Sequence, residues 1–288
     1  MILFLLLLSI VLSTGRNILS KYLSDIRFGT RDFFLCQGTL FLCGGIAILL
    51  FGNISLTAFA LSTLGYAILY CLLLIFAQWF YTSSLAKGNT AICSTVYSLG
   101  FIFPTLSGAI IWAEPFSILS AFGIMCAVFA VVLSGFKHQS HKTDKKASYF
   151  IPLIIAMLAS GGLGIIQKLQ QKSAFANQKS VFLLIAFLFA AAISFLTAFV
   201  SKKPRSVSFG YKKLVTGGCV GICFGCCNLL NTTLAGKLDS AIFFPSLNIG
   251  VILLTLACGV TFFKEKISKR EIAVLASGLL SILLLNLS

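Results

Sequence analysis

The run KGNTAICSTVYSLGFIFPTL, residues 87–106, returns in altered form as KLDSAIFFPSLNIGVILLTL, residues 237–256. Seven residues are identical at a spacing of 150 positions, and Asn89 and Thr90 return as their close relatives Asp239 and Ser240. The chain has 288 residues, so the repeat unit is about half of it. This duplication predicts a fold made of two similar halves.

The composition predicts that the protein is embedded in lipid. Of its residues 58% are hydrophobic and 10% are charged, and the mean hydropathy is +1.02. A soluble globular domain carries about 25% charged residues, so this chain cannot build a water-exposed surface. The net charge of +15 does not indicate a nucleic-acid partner, because the Lys and Arg residues lie between apolar runs.

Ten apolar windows have roughly the 17–25 residues that a membrane helix needs. The first lacks a basic n-region and a cleavage motif, which favours a span over a signal peptide. The ten cysteines all fall in these windows and are predicted to be packing residues rather than metal ligands. The windows are 2–22, 30–51, 58–83, 90–112, 117–136, 149–171, 179–200, 213–234, 240–263 and 269–287.

The distribution of positive charge predicts the orientation of the chain. Of the 22 Lys and Arg residues, 17 follow odd-numbered windows and 4 follow even-numbered ones. The positive-inside rule then places the odd-numbered loops in the cytoplasm and both termini on the extracytoplasmic side of the cell (inner) membrane.

The duplication extends beyond the two quoted runs and divides the chain into five-helix units, 1–144 and 145–288. Because five is odd, two such units must enter the membrane from opposite sides, as an inverted repeat. Each of two similar halves can adopt the conformation of the other, so a site between them can open to either face of the membrane. This predicts alternating access. Further equivalent pairs are Gln78 with Asn228, Lys21 with Lys168 at a spacing of 147, and Glu114 with Glu265 at a spacing of 151.

Three loose motifs occur in both halves. A Gly-containing polar patch ends in Lys in the first helix, a small-residue turn follows the third helix, and a Glu follows the fourth. They read GRNILSK and GLGIIQK, SSLAKGNTA and TTLAGKLDSA, and WAEPFS and FKEKIS.

In these motifs the chain resembles ten-helix, EamA-like members of the drug/metabolite transporter superfamily over both halves. The resemblance implies transport of small organic solutes, such as amino acids, other metabolites or drugs, along a pathway between the halves. The four-helix multidrug relatives place a Glu in their first helix, where this chain has Thr14, Gly15, Arg16 and Asn17.

Arg16 is the strong charge predicted to lie well inside a span, about 9 Å from the end of the first helix at 1.5 Å per residue. An ionisable group at such a depth is expected to have a function, because burying a charge in the membrane is costly. Arg16 would then attract a carboxylate or phosphate of the substrate. The alternative is a side chain that reaches back to the cytoplasmic headgroups.

Uncharged polar residues at matched depths in the two halves are predicted to line the pathway, with interhelical packing contacts as the alternative. The predicted substrate-binding residues are Arg16, Asn17, Gln78, Tyr81, Tyr97, Ser98, Asn228, Asn231 and Asn248. Four other aromatic residues are expected in the interface belt or in packing, namely Trp79, Trp112, Tyr66 and Tyr70.

The seven acidic residues are predicted to lie in loops or at helix ends. This argues against a buried carboxylate that alternates between proton and substrate. Asp32, one turn into the second helix, is expected to pair with Arg31 or Arg16 at the interface.

The sequence contains no catalytic triad, metal-ligand spacing or phosphate-binding loop, so no enzyme, metal site or cofactor is predicted. The leading prediction is a secondary-active or facilitative transporter of a small, amino-acid-like zwitterionic or anionic metabolite. One alternative is a carrier for quaternary ammonium or lipophilic cations held by an aromatic box. A second alternative is a non-transporting membrane subunit.

The predicted partners are a small-molecule substrate and the lipid bilayer, and no nucleic acid. A proton or a counter-solute is left open as a coupling partner. The oligomeric state is also open, and a monomer is compatible with the sequence.

Overall fold

The computed structural model describes residues 1–21, 30–54, 60–85, 93, 96–135, 149–201, 211–263 and 269–287. Within these ranges the chain is all-helical, and the predicted all-α class is confirmed. The described ranges contain ten longer α-helices, namely α1 (Ile2–Lys21), α2 (Thr30–Phe51), α3 (Leu61–Leu85), α4 (Ile102–Trp112), α5 (Ile118–Gly135), α6 (Phe150–Lys172), α7 (Lys179–Val200), α8 (Tyr211–Ala235), α9 (Ser240–Phe263) and α10 (Lys269–Asn286).

A 3-10 turn interrupts the fourth predicted window. Residues 96–98 are α-helical, the 3-10 turn follows at Leu99–Phe101, and the α-helix resumes at Ile102. Gly100 in this turn lies so close to the carbonyl of Met157 on α6 that a Cβ atom would overlap it. Glycine at this position therefore lets the backbone of the 3-10 turn approach that of α6 closely.

Seven helices, α1–α3 and α6–α9, are long and apolar enough to cross a membrane. The other three, α4, α5 and α10, are shorter apolar helices. Large apolar side chains remain on the outside of the bundle, such as Ile110 at 80% and Phe199 at 74% exposure. Water would oppose such exposure, whereas lipid accommodates it. These features indicate a multi-pass membrane protein.

The contacts of α2 define the relative directions of three helices. Gly38 of α2 lies against Phe195 of α7, and Gly52 directly after α2 lies against Ser180 of α7, so these two helices run antiparallel. On its other side α2 packs on α8, where the contacts advance in the same direction along both chains. These contacts join Leu40 to Gly221 and Gly44 to Gly225, so α2 and α8 run parallel.

Most of the extensive helix contacts have counterparts when the first five helices are exchanged with the last five, although the contact of α9 with α10 has none of similar extent. Three contacts join counterparts directly: α2 with α7, α4 with α9, and α5 with α10. The contact of α1 with α8 is matched by that of α6 with α3, and the contact of α1 with α9 by that of α6 with α4. The two halves therefore interleave in one bundle.

One end of this bundle carries the connections 113–117, 173–178 and 236–239. Contacts between helix termini place them together, because Ser240 donates to Glu114 and Gly236 lies against Gln171. Thr63 at the start of α3 also donates to Gln178 before α7, over 2.7 Å. This end is called the Glu114 end below. Ser84 near the end of α3 donates to the carbonyl of Tyr149 before α6 at the opposite end, over 3.1 Å.

Candidate functional site

Arg16 lies in the last two turns of α1 and turns its side chain toward α8. Its guanidinium carbon is 4.2 Å from the centroid of the Phe224 ring, a cation–π contact. Phe224 is buried and Arg16 is half-buried. Among the described residues no carboxylate forms an ion pair with Arg16. A positive charge therefore lies inside the span without a neutralising acid from the described part of the chain.

Three buried polar side chains from α3, α6 and α8 form a hydrogen-bonded polar triad beside Phe224. Gln167 donates from Nε2 to Tyr70 Oη over 3.0 Å and to Asn228 Oδ1 over 3.1 Å. Tyr70 donates to the same Asn228 oxygen, and Asn228 Nδ2 donates to the carbonyl of Phe224 over 2.8 Å. Leaving such a buried group unpaired costs about 1–3 kcal/mol, so the triad holds three helices in register.

Tyr81 on α3 and Tyr97 before α4 form an aromatic pair. Their ring centroids are 4.4 Å apart and the rings are tilted by 35°. Both side chains are half-buried. The charge of Arg16 is close enough to interact electrostatically with the hydroxyls of Tyr70 and Tyr81. Arg16, the polar triad and the tyrosine pair therefore form one neighbourhood, called the central site below.

The structure brings four of the predicted substrate-binding residues into the central site: Arg16, Tyr81, Tyr97 and Asn228. Ser98 follows Tyr97 and is half-buried, whereas Asn17 is exposed on α1. The remaining three take no part in the hydrogen bonds of the triad. The side chain of Gln78 has no hydrogen bond among the described residues, Asn231 accepts one from Ser9, and Asn248 donates to the carbonyl of Phe244 over 3.0 Å.

Two members of the central site were not predicted from the sequence. Tyr70 was assigned to the interface belt or to packing, but it is 1% exposed and hydrogen-bonded inside the bundle. Of the two alternatives the structure supports packing, since Tyr70 lies in the apolar core and packs against Phe182 of α7. Gln167 could have been found from its place in the repeated polar patch, directly before Lys168.

A second polar centre closes the Glu114 end. Lys168 of α6 donates from Nζ to the Glu114 carboxylate and to the carbonyl of Leu238, the latter over 2.8 Å. The backbone N–H of Ser240, the first residue of α9, donates to Glu114 Oε2 over 2.7 Å. These four groups are called the Glu114 junction. The Lys168 and Glu114 side chains are only 1% and 6% exposed, so a carboxylate and an ammonium group are buried together.

Local backbone geometry places Glu114 in this junction. Ala113 ends α4 in the left-handed region, with φ of 49°, and the N–H of Glu114 donates back to Gly108 over 3.2 Å. A side chain at position 108 would overlap the Glu114 carboxylate and Ser240. Glycine at this position is therefore what lets the carboxylate reach α9.

Glu114 and Asp32 lie at helix ends, as predicted for the acidic residues. Glu114 does lie just beyond a helix end, but it is buried and not at a solvated surface. Asp32 lies in the first turn of α2 and its side chain is fully buried within the protein. Asp25, Asp144 and Glu265 lie outside the described residues, as does the side chain of Glu271. In the part of the chain that the structure describes, no group of three His, Cys, Asp or Glu could hold a metal ion.

Acidification is expected to weaken the Glu114 junction. Burial alone would raise the pKa of Glu114, but hydrogen bonds from Lys168 and Ser240 more than offset it and lower the pKa from its ordinary 4.5. Because the folded-state pKa is the lower one, the stabilisation is complete above 4.5 and is lost as pH falls through the folded-state value. Thermal unfolding followed between about pH 5 and pH 3 should show this loss. A Glu114→Gln variant with the same pH profile as the wild type would contradict the assignment.

Comparison with known proteins concerns the fold only. No protein-family model matches the chain, and no curated protein matches it. Among solved structures, 29 chains match. One is the crystal structure of a protein that aligns with a TM-score of 0.78 over 99% of this chain and 96% of its own, at 17% sequence identity. The two chains share a fold.

Proposed function

We propose that the protein is a secondary-active or facilitative transporter of the drug/metabolite transporter type, made of two inverted five-helix repeats. Two features of the fold support the inversion. Counterpart helices α2 and α7 run antiparallel, and most of the extensive helix contacts have counterparts under exchange of the halves. Symmetric, oppositely inserted halves give two end states of similar energy, as alternating access requires.

The substrate we propose is a small, amino-acid-like zwitterionic or anionic metabolite. The observation that carries this proposal is the half-buried Arg16, which has no ion-pair partner among the described residues. An uncompensated charge at membrane depth is costly, so a charge of this kind usually serves a pathway or a ligand. A carboxylate or phosphate would neutralise it, while the tyrosine pair and the edge of the polar triad supply apolar and hydrogen-bonding surface.

A carrier for quaternary ammonium or lipophilic cations is the second candidate. The tyrosine pair favours it, because two half-buried aromatic faces attract a weakly hydrated cation. Arg16 opposes it by electrostatic repulsion. The two candidates therefore make opposite predictions for removal of the Arg16 charge.

Replacing Arg16 with alanine is expected to abolish ligand stabilisation by anions. The test is a thermal-shift screen of the purified protein with amino acids, sugar phosphates and quaternary amines, since a bound solute stabilises only the folded state. Solutes that raise the unfolding temperature are then assayed for uptake into proteoliposomes. We expect carboxylate- or phosphate-bearing solutes to stabilise the wild type and to be transported, and Arg16→Ala to lose both effects.

Lys212→Ala is the matched control, because it removes one exposed positive charge from α8 outside the central site. It should retain wild-type binding and uptake. Undiminished anion binding by Arg16→Ala would remove Arg16 from the site. Stabilisation by quaternary amines that increases in Arg16→Ala and disappears in Tyr97→Ala would favour the second candidate instead.

A further inference from the structure

The Glu114 junction joins parts of the chain from both sequence halves. Glu114 follows α4 in the first half, whereas Lys168, Leu238 and Ser240 belong to the second half. The carboxylate is therefore the group through which the first half holds both α6 and the start of α9. If the two halves separate at this end, these bonds of Glu114 must break.

The junction depends strongly on the exclusion of water. A buried ion pair that loses one partner leaves an uncompensated charge, so partial separation inside a dry bundle is very unfavourable. Once water enters, an exposed ion pair contributes only about 0–1 kcal/mol. The same contact is thus strong while this end is closed and weak after it has opened, which favours two discrete states.

The junction is also directly connected to the central site. Gln167 belongs to the polar triad, and the next residue of α6, Lys168, belongs to the junction. Lys168 and Ser240 are buried at the Glu114 end, whereas Arg16, Tyr81 and Tyr97 of the central site keep partial exposure. A displacement of α6 would therefore change both places at once.

We propose that the Glu114 junction is a latch that holds this end of the bundle closed and is broken and remade in each transport cycle. The cycle rests on the proposed function, whereas the closure itself can be tested without a substrate. In this scheme a ligand at the central site biases the latch through the adjacent positions Gln167 and Lys168 of α6. The latch assigns to Glu114 and Lys168 a role in the conformational step, and none in contacting the substrate.

The test measures the width of the Glu114 end in lipid nanodiscs. Spin labels are placed at Phe116 and Phe175, exposed residues on two connections at this end that belong to different halves. They are introduced as unnatural amino acids, because the chain has ten native cysteines. We expect one short distance in the protein with native Glu114, and a second population, longer by several ångströms, in Glu114→Gln.

Two further variants make this result specific. Asp239→Asn removes a neighbouring half-buried acid that has no ion pair among the described residues, and it should keep the single short distance. Ser240→Pro removes the N–H that donates to Glu114 without changing any charge, and proline is tolerated at the first position of a helix. It should populate the longer distance as well, which provides a second result if Glu114→Gln does not fold.

Hydrogen exchange supplies an independent readout. The amide of Ser240 should exchange faster in Glu114→Gln, whereas peptides that carry Tyr70 and Asn228 should keep their protection. The latch is overturned if the label distance is unchanged in folded Glu114→Gln and Ser240→Pro and the Ser240 amide of Glu114→Gln exchanges at the wild-type rate. Equal widening in Asp239→Asn also overturns it. The distance and exchange measurements use no solute. A failure of the latch proposal can therefore be told apart from a failure of the Arg16 binding test.

Discussion

Replacing Lys168 with methionine is expected to lower the free energy of unfolding by about 3–5 kcal/mol, because it leaves the buried Glu114 carboxylate without its cation. Methionine has a similar length and a flexible apolar chain, so it should fill the space without a large cavity. The loss is therefore mainly electrostatic. Equilibrium unfolding in mixed micelles, with helix content as the signal, measures it.

The controls separate the ion pair from general effects on α6. Lys172→Met changes an exposed lysine about one turn further along the same helix and should remain within about 0.5 kcal/mol of the wild type. The double variant Lys168→Met/Glu114→Gln should recover much of the loss, because a neutral amide still accepts the Ser240 N–H. A loss in Lys168→Met no larger than in Lys172→Met would show that the pair does not stabilise the fold.

The helices could be predicted from the sequence because a membrane imposes a length and an apolar composition on every span. Most observed helices agree with their windows to within three residues, from α2 at Thr30–Phe51 to α9 at Ser240–Phe263. The exception is α4, where hydropathy continues through residues that include a 3-10 turn. Apolar composition reports burial in lipid and is insensitive to a local change of helix type.

The central site could be predicted only in part. Arg16 and Asn228 were found because a polar group in an apolar window is conspicuous from composition alone. The partners of Asn228 were not found, since Gln167 and Tyr70 lie on other helices and their meeting depends on how α3, α6 and α8 pack. The repeat suggested Gln78 as its counterpart, but equivalent positions in two halves need not touch each other.

The burial of charged residues in the Glu114 junction could not be predicted from the sequence either. Lys168 lies four residues before the end of α6 and was counted among loop charges, although it is fully buried. Counting Lys and Arg residues by loop assumes that lysines near the ends of spans reach water. Lys168 stays buried because a carboxylate from the other half of the chain pairs with it. Such a pairing is visible only in the three-dimensional structure.

Replacing Gly221 with leucine is expected to prevent the helix bundle from forming. A Cβ atom at this position would overlap the carbonyl oxygen of Leu40 and lie 3.0 Å from its Cα atom. These are backbone atoms of α2, so no rotamer change can relieve the overlap, and the whole helix must move. Small residues at such crossings let membrane helices approach each other closely. Gly221→Ala should cost about 1–3 kcal/mol through overpacking, and Gly221→Leu should yield no folded protein.

Gly65→Leu is the matched control, because a Cβ atom at Gly65 on α3 meets nothing within 4 Å. Leucine is also a better helix former than glycine by about 0.8 kcal/mol in water, so this variant should be as stable as the wild type or more so. Size-exclusion profiles and thermal unfolding of the three variants test the order Gly65→Leu, Gly221→Ala, Gly221→Leu. A stable Gly221→Leu protein would mean that α2 and α8 are not in backbone contact. The interleaving of the two halves through this pair, and with it one support for the inverted repeat, would then be lost.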